Sequence, residues 1–495
     1  MRKLLKKVEE TQNMDINEHV KETIGIESLE RNLGGIEFEN GITSLEIVKS
    51  IFRKKYVNCP IGKKYDILKR IKENLKDNES RYLLLISKSS ISNYLLSTIL
   101  SDKSINKEST FYIGSKFMKD QDSEEYFLKI LNKVLLQMKQ NKILLLTDLE
   151  PVYQTLYGLF KQNFTKVGDK NYARIAIGST NNTFSLVNDG FKCIILVEQN
   201  KIHKENLLFF NMFEKHIISF EYLLNEELIK ISNELYQDLH YIFKTIVIPE
   251  VSYNINDLLI KYNIEEIQGI IYFKYIEYKN KGNNLTFKDF QDFVIEKISL
   301  ILPQDIINVL KKNIGLENKY NNIIDKIINY YQKGEHYNLY NFLKEMKNSK
   351  NIIYTFSNIN EILLSNMNDN FNTKMFGQIN KDNIKEILMS SLREEKEFEI
   401  ELYKFYEEKN KKIFILKFSI VEIDMVNYIY YFIEDYIKEY KYNNDNINDN
   451  KVFIFIVYMN KKNEYEELNN KSKDERNKIG ISHLNDFYQI FIDYL

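Results

Sequence analysis

The sequence of 495 residues contains two cysteines, four prolines and no tryptophan. Two cysteines, Cys59 and Cys193, cannot build a disulfide framework, and they are too few for a cysteine-rich zinc module such as a RING finger. Long apolar runs are also missing, because no stretch reaches roughly 18 uninterrupted apolar residues. These absences exclude a disulfide-rich secreted domain, predict no membrane span, and favour a reducing compartment, which we take to be the cytoplasm.

An excess of either charge is missing as well. Lys and Arg number 69 against 70 Asp and Glu, which leaves a formal net charge of −1. A nearly neutral chain has no global electrostatic reason to bind nucleic acid or an anionic membrane. The abundance of Asn, Ile, Lys and Tyr is typical of coding sequence from an AT-rich genome, such as that of a protozoan. The length is sufficient for two to four domains with sizeable cores.

Apolar strand patterns alternate with amphipathic helical patterns over residues 76–225. This alternation is typical of a parallel sheet covered by helices on both faces. A hairpin is predicted over Ala173–Val187. The predicted strands of the block are Tyr82–Ile86, Phe111–Ile113, Ile143–Leu146, Cys193–Val197 and His216–Ile218.

Helical periodicity replaces the strand pattern over residues 226–345, and a second α/β block follows over residues 346–495. Its predicted strands are Ile352–Phe356, Ile413–Phe418 and Val452–Tyr458. Residues 1–75 are predicted to be helical and polar. The predicted fold class is therefore α/β, with two parallel-sheet modules joined by a helical lid or connector.

An acidic pair, Asp148 and Glu150, follows the strand Ile143–Leu146 and is split by Leu149. Carboxylates at the end of a buried strand are able to bind magnesium and to act as a base in phosphoryl transfer. The alternative is structural: Asp148 caps the helix that begins near Pro151, and both acids compensate its dipole. The sequence favours the structural interpretation, because the acids are not adjacent.

A phosphate-binding loop needs glycines, whose backbone amides cradle phosphates, and a lysine for the β- and γ-phosphates. Lys88 follows the first strand directly, but residues 87–93 (SKSSISN) contain no glycine. Residues 357–360 (SNIN), after the first strand of the second block, contain none either. Lys88, Asp148 and Glu150 are the candidate residues for ATP and magnesium. The sequence offers no catalytic residue and no metal-ligand spacing, and it predicts that no cofactor is needed.

Several short strings resemble the mysterin family, whose members are giant AAA+ E3 ubiquitin ligases with a RING finger. They occur in the same order as in the family, which is stronger support than any single string. The matching strings are ESRYLLL (79–85), GSKFMKDQ (114–121), Leu156-Tyr157 and FEKH (213–216), with weaker similarity at FKDF (287–290), YTFS (354–357) and the strands beginning at Ile413 and Val452.

The resemblance implies two degenerate P-loop-NTPase-like (AAA+) modules, residues 76–225 and 346–495, joined by a lid or connector over residues 226–345. It implies that residues 1–75 are the lid of a preceding AAA+ unit. The implied partners are other AAA+ units or ligase modules of a mysterin-like protein and, indirectly, the ubiquitin machinery. The RING cysteines and the active ATPase units of the family are missing, so we expect a fragment or one piece of a split protein.

One residue departs from the family motif in a way that bears on catalysis. Met212 stands where the motif before FEKH has arginine. A methionine packs well but cannot stabilise phosphoryl charge, which argues against this module completing the active site of a neighbour.

The leading hypothesis is a non-catalytic AAA+ scaffold segment that couples or completes an ATPase ring and has no activity of its own. The first alternative is a divergent ATPase that uses Asp148 and Glu150. The second is an α/β interaction module unrelated to AAA+. His216 distinguishes this last alternative, because the mysterin interpretation requires it to begin an edge-side strand in the sheet that contains Tyr82.

Overall fold

Two compact units make up the chain in the computed structural model: residues 1–114 with 123–223, and residues 115–122 with 224–495. No helix within the described ranges is long and apolar enough to cross a bilayer. The segment 1–66 and Lys88 lie outside the described residues. The structure describes residues 67–87, 100, 107–177, 181–199, 202, 207–245, 263–281, 286–302, 304–312, 317–333, 339–355, 371–419, 422–443, 451–458 and 488–491.

The first unit contains a sheet of five strands, all parallel, in the order β2-β3-β7-β1-β8. The central strands are continuous apolar runs, such as LLLIS in β1 and ILLLT in β3, because both of their faces are buried. The strands of the unit are β1 Leu83–Ser87, β2 Ser109–Ile113, β3 Ile143–Thr147, β4 Thr165–Val167, β5 Lys170–Ile177, β6 Asn181–Val187, β7 Lys192–Glu198 and β8 Glu214–Ile218.

Strands β4, β5 and β6 form a separate antiparallel sheet, which confirms the predicted hairpin and adds a short third strand to it. Burial alternates along strand β5: Ala173 and Ile175 are fully buried, whereas Arg174 between them is exposed. One face of this small sheet therefore packs on the core of the first unit, together with helices α4 Glu150–Thr155 and α5 Tyr157–Phe160.

The longest described helix of the first unit is α3 Glu124–Gln137. The Ser123 hydroxyl accepts a hydrogen bond from Tyr126 N at 3.2 Å, and two glutamates occupy the first turn of the helix. Both features stabilise the start of the helix. The helices of this unit are α1 Ile67–Lys76, α3 Glu124–Gln137, α4, α5, α6 Leu207–Phe210 and α7 Phe220–Leu223, while α2 Met118–Gln121 belongs to the second unit.

The second unit begins with helices and ends with a sheet. Thr286 caps α10 in a reciprocal arrangement, because its N–H donates to Asp289 Oδ2 at 2.8 Å and its hydroxyl accepts from Asp289 N. The helices are α8 Glu226–Thr245, α9 Ile264–Lys281, α10 Phe287–Ser299, α11 Gln304–Lys312, α12 Asn321–Lys333, α13 Leu339–Glu345, α14 Glu395–Glu407 and α15 Ile423–Asn443.

The second sheet also has five parallel strands, in the order β12-β13-β14-β9-β15. Counted along the chain, both sheets place their parallel strands in the order second, third, fourth, first, fifth. The two α/β blocks therefore share one topology. The strands of this unit are β9 Lys350–Thr355, β10 Phe371–Thr373, β11 Gly377–Ile379, β12 Ile384–Leu388, β13 Ile413–Ser419, β14 Val452–Tyr458 and β15 Tyr488–Phe491.

A short segment distant in sequence, residues 115–122, is built into this second unit. The Asp120 carboxylate accepts hydrogen bonds from Ser115 Oγ at 2.7 Å and from Glu395 N at 2.8 Å. Lys119 pairs with Glu394 at 2.6 Å. Asp120 therefore satisfies a backbone donor in the first turn of α14, which has no cap from its own N-cap side chain.

We expect Gly114→Ala to destabilise the fold strongly, because a Cβ there would lie 1.7 Å from the backbone oxygen of Asp148. The expected loss is about 3 kcal/mol in the free energy of unfolding, measured by urea denaturation. Gly168→Ala is the control: its φ of +60° carries strain but nothing lies within 4 Å, so about 1 kcal/mol is expected. Equal losses in the two variants would contradict the steric argument.

Candidate functional site

The carboxyl ends of the parallel strands in the first sheet meet at one edge, where open α/β sheets bind their ligands. Ser87 at the end of β1 pairs with Glu198 at the end of β7. Thr147 at the end of β3 pairs with Leu196 of the same strand β7. Since β7 lies between them, β1 and β3 end roughly 10 Å apart at this edge.

Asp148 and Glu150 lie at this edge, directly after β3. Asp148 has a φ of 53°, a left-handed conformation that turns the chain sharply at the end of the strand. Helix α4 begins at Glu150 and its N-cap is Leu149, whose side chain makes no capping hydrogen bond. The prediction that Asp148 caps this helix is therefore wrong. Glu150 does lie in the first turn, where its charge is favourable toward the helix dipole.

A buried phenol that the sequence pattern does not single out, that of Tyr153, lies close to the acidic pair. Leu149 N donates to Tyr153 Oη at 3.4 Å. Burial raises the pKa of Tyr153 well above its ordinary value, and the charges of Glu150 and Asp148 raise it further. Tyr153 is thus a neutral hydroxyl close to two carboxylates. The only advance signal was its position three residues after Glu150, on the same side of a helix.

The structure brings together two of the three predicted cofactor-binding residues. Asp148 and Glu150 are neighbours at the edge, whereas Lys88 lies outside the described residues. In the part of the chain that the structure describes, no group of three or more His, Cys, Asp or Glu side chains could hold a metal ion. The described part of the edge therefore offers negative charge next to a buried phenol hydroxyl.

A second polar cluster lies at the opposite end of the sheet, where strand β8 begins. Glu214 Oε1 lies 3.1 Å from His216 Nε2, and Asn74 Nδ2 donates to Glu214 Oε2 at 2.8 Å. Asn74 Nδ2 also donates to Arg81 O at 2.9 Å. His216 and Asn74 have no exposed area and Glu214 is 4% exposed. Asn74 Nδ2, Glu214 and His216 are hydrogen-bonded, as burial requires, whereas the buried Asn74 Oδ1 has no hydrogen-bond partner among the described residues.

A buried lysine extends the cluster to the start of β7. Lys192 Nζ donates to Ser80 Oγ at 2.7 Å and to Ser80 O at 3.1 Å. Ser80 Oγ in turn lies 2.9 Å from the backbone oxygen of Asn74. We call Asn74, Ser80, Lys192, Glu214 and His216 the buried polar network. It links α1, the loop before β1, and strands β7 and β8, and it lies at the amino ends of the strands. Its location and burial indicate a structural role.

The mysterin interpretation requires His216 to lie in an edge strand of the sheet that contains Tyr82, and the structure confirms this position. Strand β8 pairs with β1 and forms an edge of the first sheet, with His216 aligned to Leu85. The strand begins two residues earlier than predicted, at Glu214, whose N–H donates to Tyr82 O at 2.9 Å.

Comparison with known proteins agrees with this geometry. Residues 72–224, which contain the whole first sheet, match the family model described as RNF213 AAA domain. RNF213 is the mysterin family, so the resemblance is confirmed for this segment. The sheet within it is a parallel AAA-type α/β sheet.

Three curated relatives each cover about a third of the chain. The E3 ubiquitin-protein ligase RNF213 of Homo sapiens is 28% identical over 152 residues, which is 30% of this chain and 3% of the relative. The Mus musculus protein of the same name is 27% identical over 164 residues, 33% of this chain and 3% of the relative. The Danio rerio ligase rnf213-beta is 25% identical over 196 residues, 38% of this chain and 4% of the relative.

The chain therefore spans only a few per cent of the length of these ligases. Among solved structures, a Thermotoga maritima RuvB mutant is 12% identical and covers 62% of this chain and 84% of its own length. Its TM-score is 0.25, which is too low to show a common fold.

We expect Glu214→Ala to destabilise the first unit by about 3 kcal/mol, because Asn74 and His216 would lose a buried partner. Urea denaturation measures the loss. Glu125→Ala, at an exposed position of α3, is the matched control and should cost less than about 1 kcal/mol. If both variants were equally stable, the buried polar network would not hold β8 in place.

Proposed function

We propose that the chain is a non-catalytic AAA+ scaffold segment of a mysterin-like E3 ubiquitin ligase, which couples or completes an ATPase ring. The proposal rests on one contrast: the parallel sheet of an AAA module is present, whereas the residues that follow its first strand lack the glycines of a phosphate-binding loop. Both sheets share one strand order, yet neither first strand is followed by glycine, in residues 88–93 (KSSISN) or 356–360 (FSNIN). Without glycine, backbone amides cannot approach phosphates closely.

The repeated topology supports a second AAA+-like module. The sheet that matches the AAA family model and the sheet of residues 350–491 have the same order and the same parallel direction. We therefore propose degenerate AAA+ modules at residues 76–225 and 346–495, a lid or connector at 226–345, and a lid of a preceding unit at 1–75. The presence of helices alone among the described elements from Glu226 to Glu345 supports the connector.

The proposed partners follow from the small share of each relative that the chain covers. Proteins named as ubiquitin ligases contain this segment as 3–4% of their length, so the other modules of such a protein are its natural contacts. Any link to the ubiquitin machinery would be indirect, through a ligase module elsewhere. The low cysteine content supports a cytoplasmic location.

The scaffold mechanism is conformational. Hydrogen bonds of the buried polar network link helix α1 to the starts of strands β1, β7 and β8. These hydrogen bonds would break if the elements separated. A segment held in this way moves as one body when a neighbouring unit moves. No step of chemistry by this chain is needed for that role.

A divergent ATPase is the second candidate, and one observation favours it. Asp148 and Glu150 lie together at the ligand-binding edge of the first sheet, beside the hydroxyl of Tyr153. Carboxylates in this place are able to hold magnesium. Lys88, directly after β1 in the sequence, would then be the phosphate-binding lysine.

Titration of the 495-residue chain with a fluorescent ATP analogue and magnesium separates the two candidates. We expect no saturable binding up to about 1 mM nucleotide, because the phosphate loop has no glycine. Lys88→Ala and Asp148→Ala are the matched variants. Saturable binding that Lys88→Ala abolishes, or ATP turnover that Asp148→Ala abolishes, would overturn the scaffold proposal and establish the ATPase.

A further inference from the structure

Helices α14 and α15 of the second unit carry four neighbouring tyrosines, Tyr403, Tyr406, Tyr436 and Tyr440, which we call the tyrosine surface. The ring centroid of Tyr406 lies 5.1 Å from that of Tyr440 and 5.9 Å from that of Tyr436. Tyr403 is 51% exposed, and the other three rings are partly exposed. Tyr403 is also close enough for its phenol to influence the pKa of Tyr436 and Tyr440.

Two carboxylates, those of Glu399 and Glu407, lie close to these rings. Glu407 Oε1 accepts a hydrogen bond from the Tyr440 hydroxyl at 3.1 Å. Burial raises the pKa of Tyr436 to about 12, and the nearby Tyr440 and Glu399 contribute in the same direction. Helix α14 carries five glutamates and two lysines, and its negative dipole end lies at Glu407. The tyrosine surface is therefore aromatic, neutral at the rings and negative at its margin.

A cation of the chain itself already lies on one of these rings. Lys451 Nζ is 5.2 Å from the ring centroid of Tyr406 and 4.4 Å from that of Phe405. The same ammonium group donates to the backbone oxygens of Phe405 and Glu408 at the end of α14. Burial lowers the pKa of Lys451 to about 8, whereas the charges of Glu408 and Glu407 raise it. The groups of this region that favour a cation are therefore the ring faces and the carboxylates.

We propose that the tyrosine surface binds an arginine-bearing segment of a partner protein. The rings of Tyr436 and Tyr440 stack on each other, with an interplanar angle of 18° and a centroid distance of 5.8 Å. Stacked rings leave no cage between them for a quaternary ammonium group. They offer flat faces, on which a planar guanidinium stacks while its N–H groups reach carboxylates such as Glu399 and Glu407.

Charge decides against the other occupants. The glutamates at the margin repel phosphates, so nucleic acid and anionic membranes are disfavoured. Two copies of the tyrosine surface facing each other would bring the like-charged carboxylates of both copies, Glu399 and Glu407, close together. A cationic peptide segment is the partner whose charge is complementary. Binding at the tyrosine surface does not depend on nucleotide binding, so this proposal and the scaffold proposal are tested separately.

The test is fluorescence anisotropy of the 495-residue chain with labelled hexaarginine, hexalysine and hexacitrulline peptides. Hexaarginine should bind tightest, because guanidinium both stacks and forms paired hydrogen bonds. Hexalysine should bind more weakly, and the neutral hexacitrulline should not bind. Equal affinity for hexaarginine and hexalysine would mean attraction by charge alone and would overturn the proposal.

Variants locate the site. Tyr403→Leu and Tyr436→Leu should each weaken hexaarginine binding about fivefold, which corresponds to one lost cation–π contact. Tyr436→Phe keeps the ring and should keep the affinity. Glu399→Gln should weaken binding, whereas Glu234→Gln, which removes an exposed carboxylate from helix α8, should not.

Thermal unfolding of each variant first establishes that it is folded; Tyr403, half exposed, is the substitution least able to disturb packing. Unchanged affinity in Tyr403→Leu and Tyr436→Leu would overturn the proposal. A loss with Glu234→Gln as large as that with Glu399→Gln would also overturn it, because binding would then be diffuse.

Discussion

Burial of both faces of a parallel sheet is the constraint on which this structure depends. Strands such as β1 and β3 have no solvent-facing side, so every side chain along them is apolar or hydrogen-bonded. In β1, β3 and β7, polar groups are confined to the two ends of the strand. At the carboxyl ends they form the edge with Asp148 and Glu150, and at the amino ends they form the buried polar network. The division between the end with the acidic pair and the end with the buried polar network follows from this one requirement.

The same constraint explains what could be predicted from sequence. Continuous apolar runs identified β1, β3, β7, β13 and β14, because no other described element of five to seven residues is so uniformly apolar. Strand β12 (IKEIL) was not predicted, since two of its five residues are polar and it forms an edge of its sheet. Strand β15 (YQIF) was not predicted, because four residues are too few to show a pattern.

The candidate site was predictable only in part. The acidic pair can be recognised in the sequence because it follows a buried strand. A hydrogen-bond partner that lies far away in sequence cannot be recognised in this way. Lys192 and Ser80 are 112 positions apart, and Asn74 and Glu214 are 140 positions apart. A lysine before an apolar run is ordinarily taken for a solvated residue. Only the pairing of β7 and β8 with β1 brings such residues together, and that pairing is a property of the fold.

The capping of α14 by Asp120 has a consequence for how the chain folds. The hydrogen bond from Glu395 N to Asp120 joins residues 275 positions apart, so the second unit contains a contact of very high sequence separation. The entropic cost of closing so long a loop grows only slowly with its length, but such contacts form late and slow the folding of the parts that need them. During synthesis, residues 115–122 leave the ribosome long before α14 exists. The second unit therefore cannot reach its final packing until the chain beyond residue 395 has emerged, and no single continuous stretch that begins after residue 122 contains the whole unit.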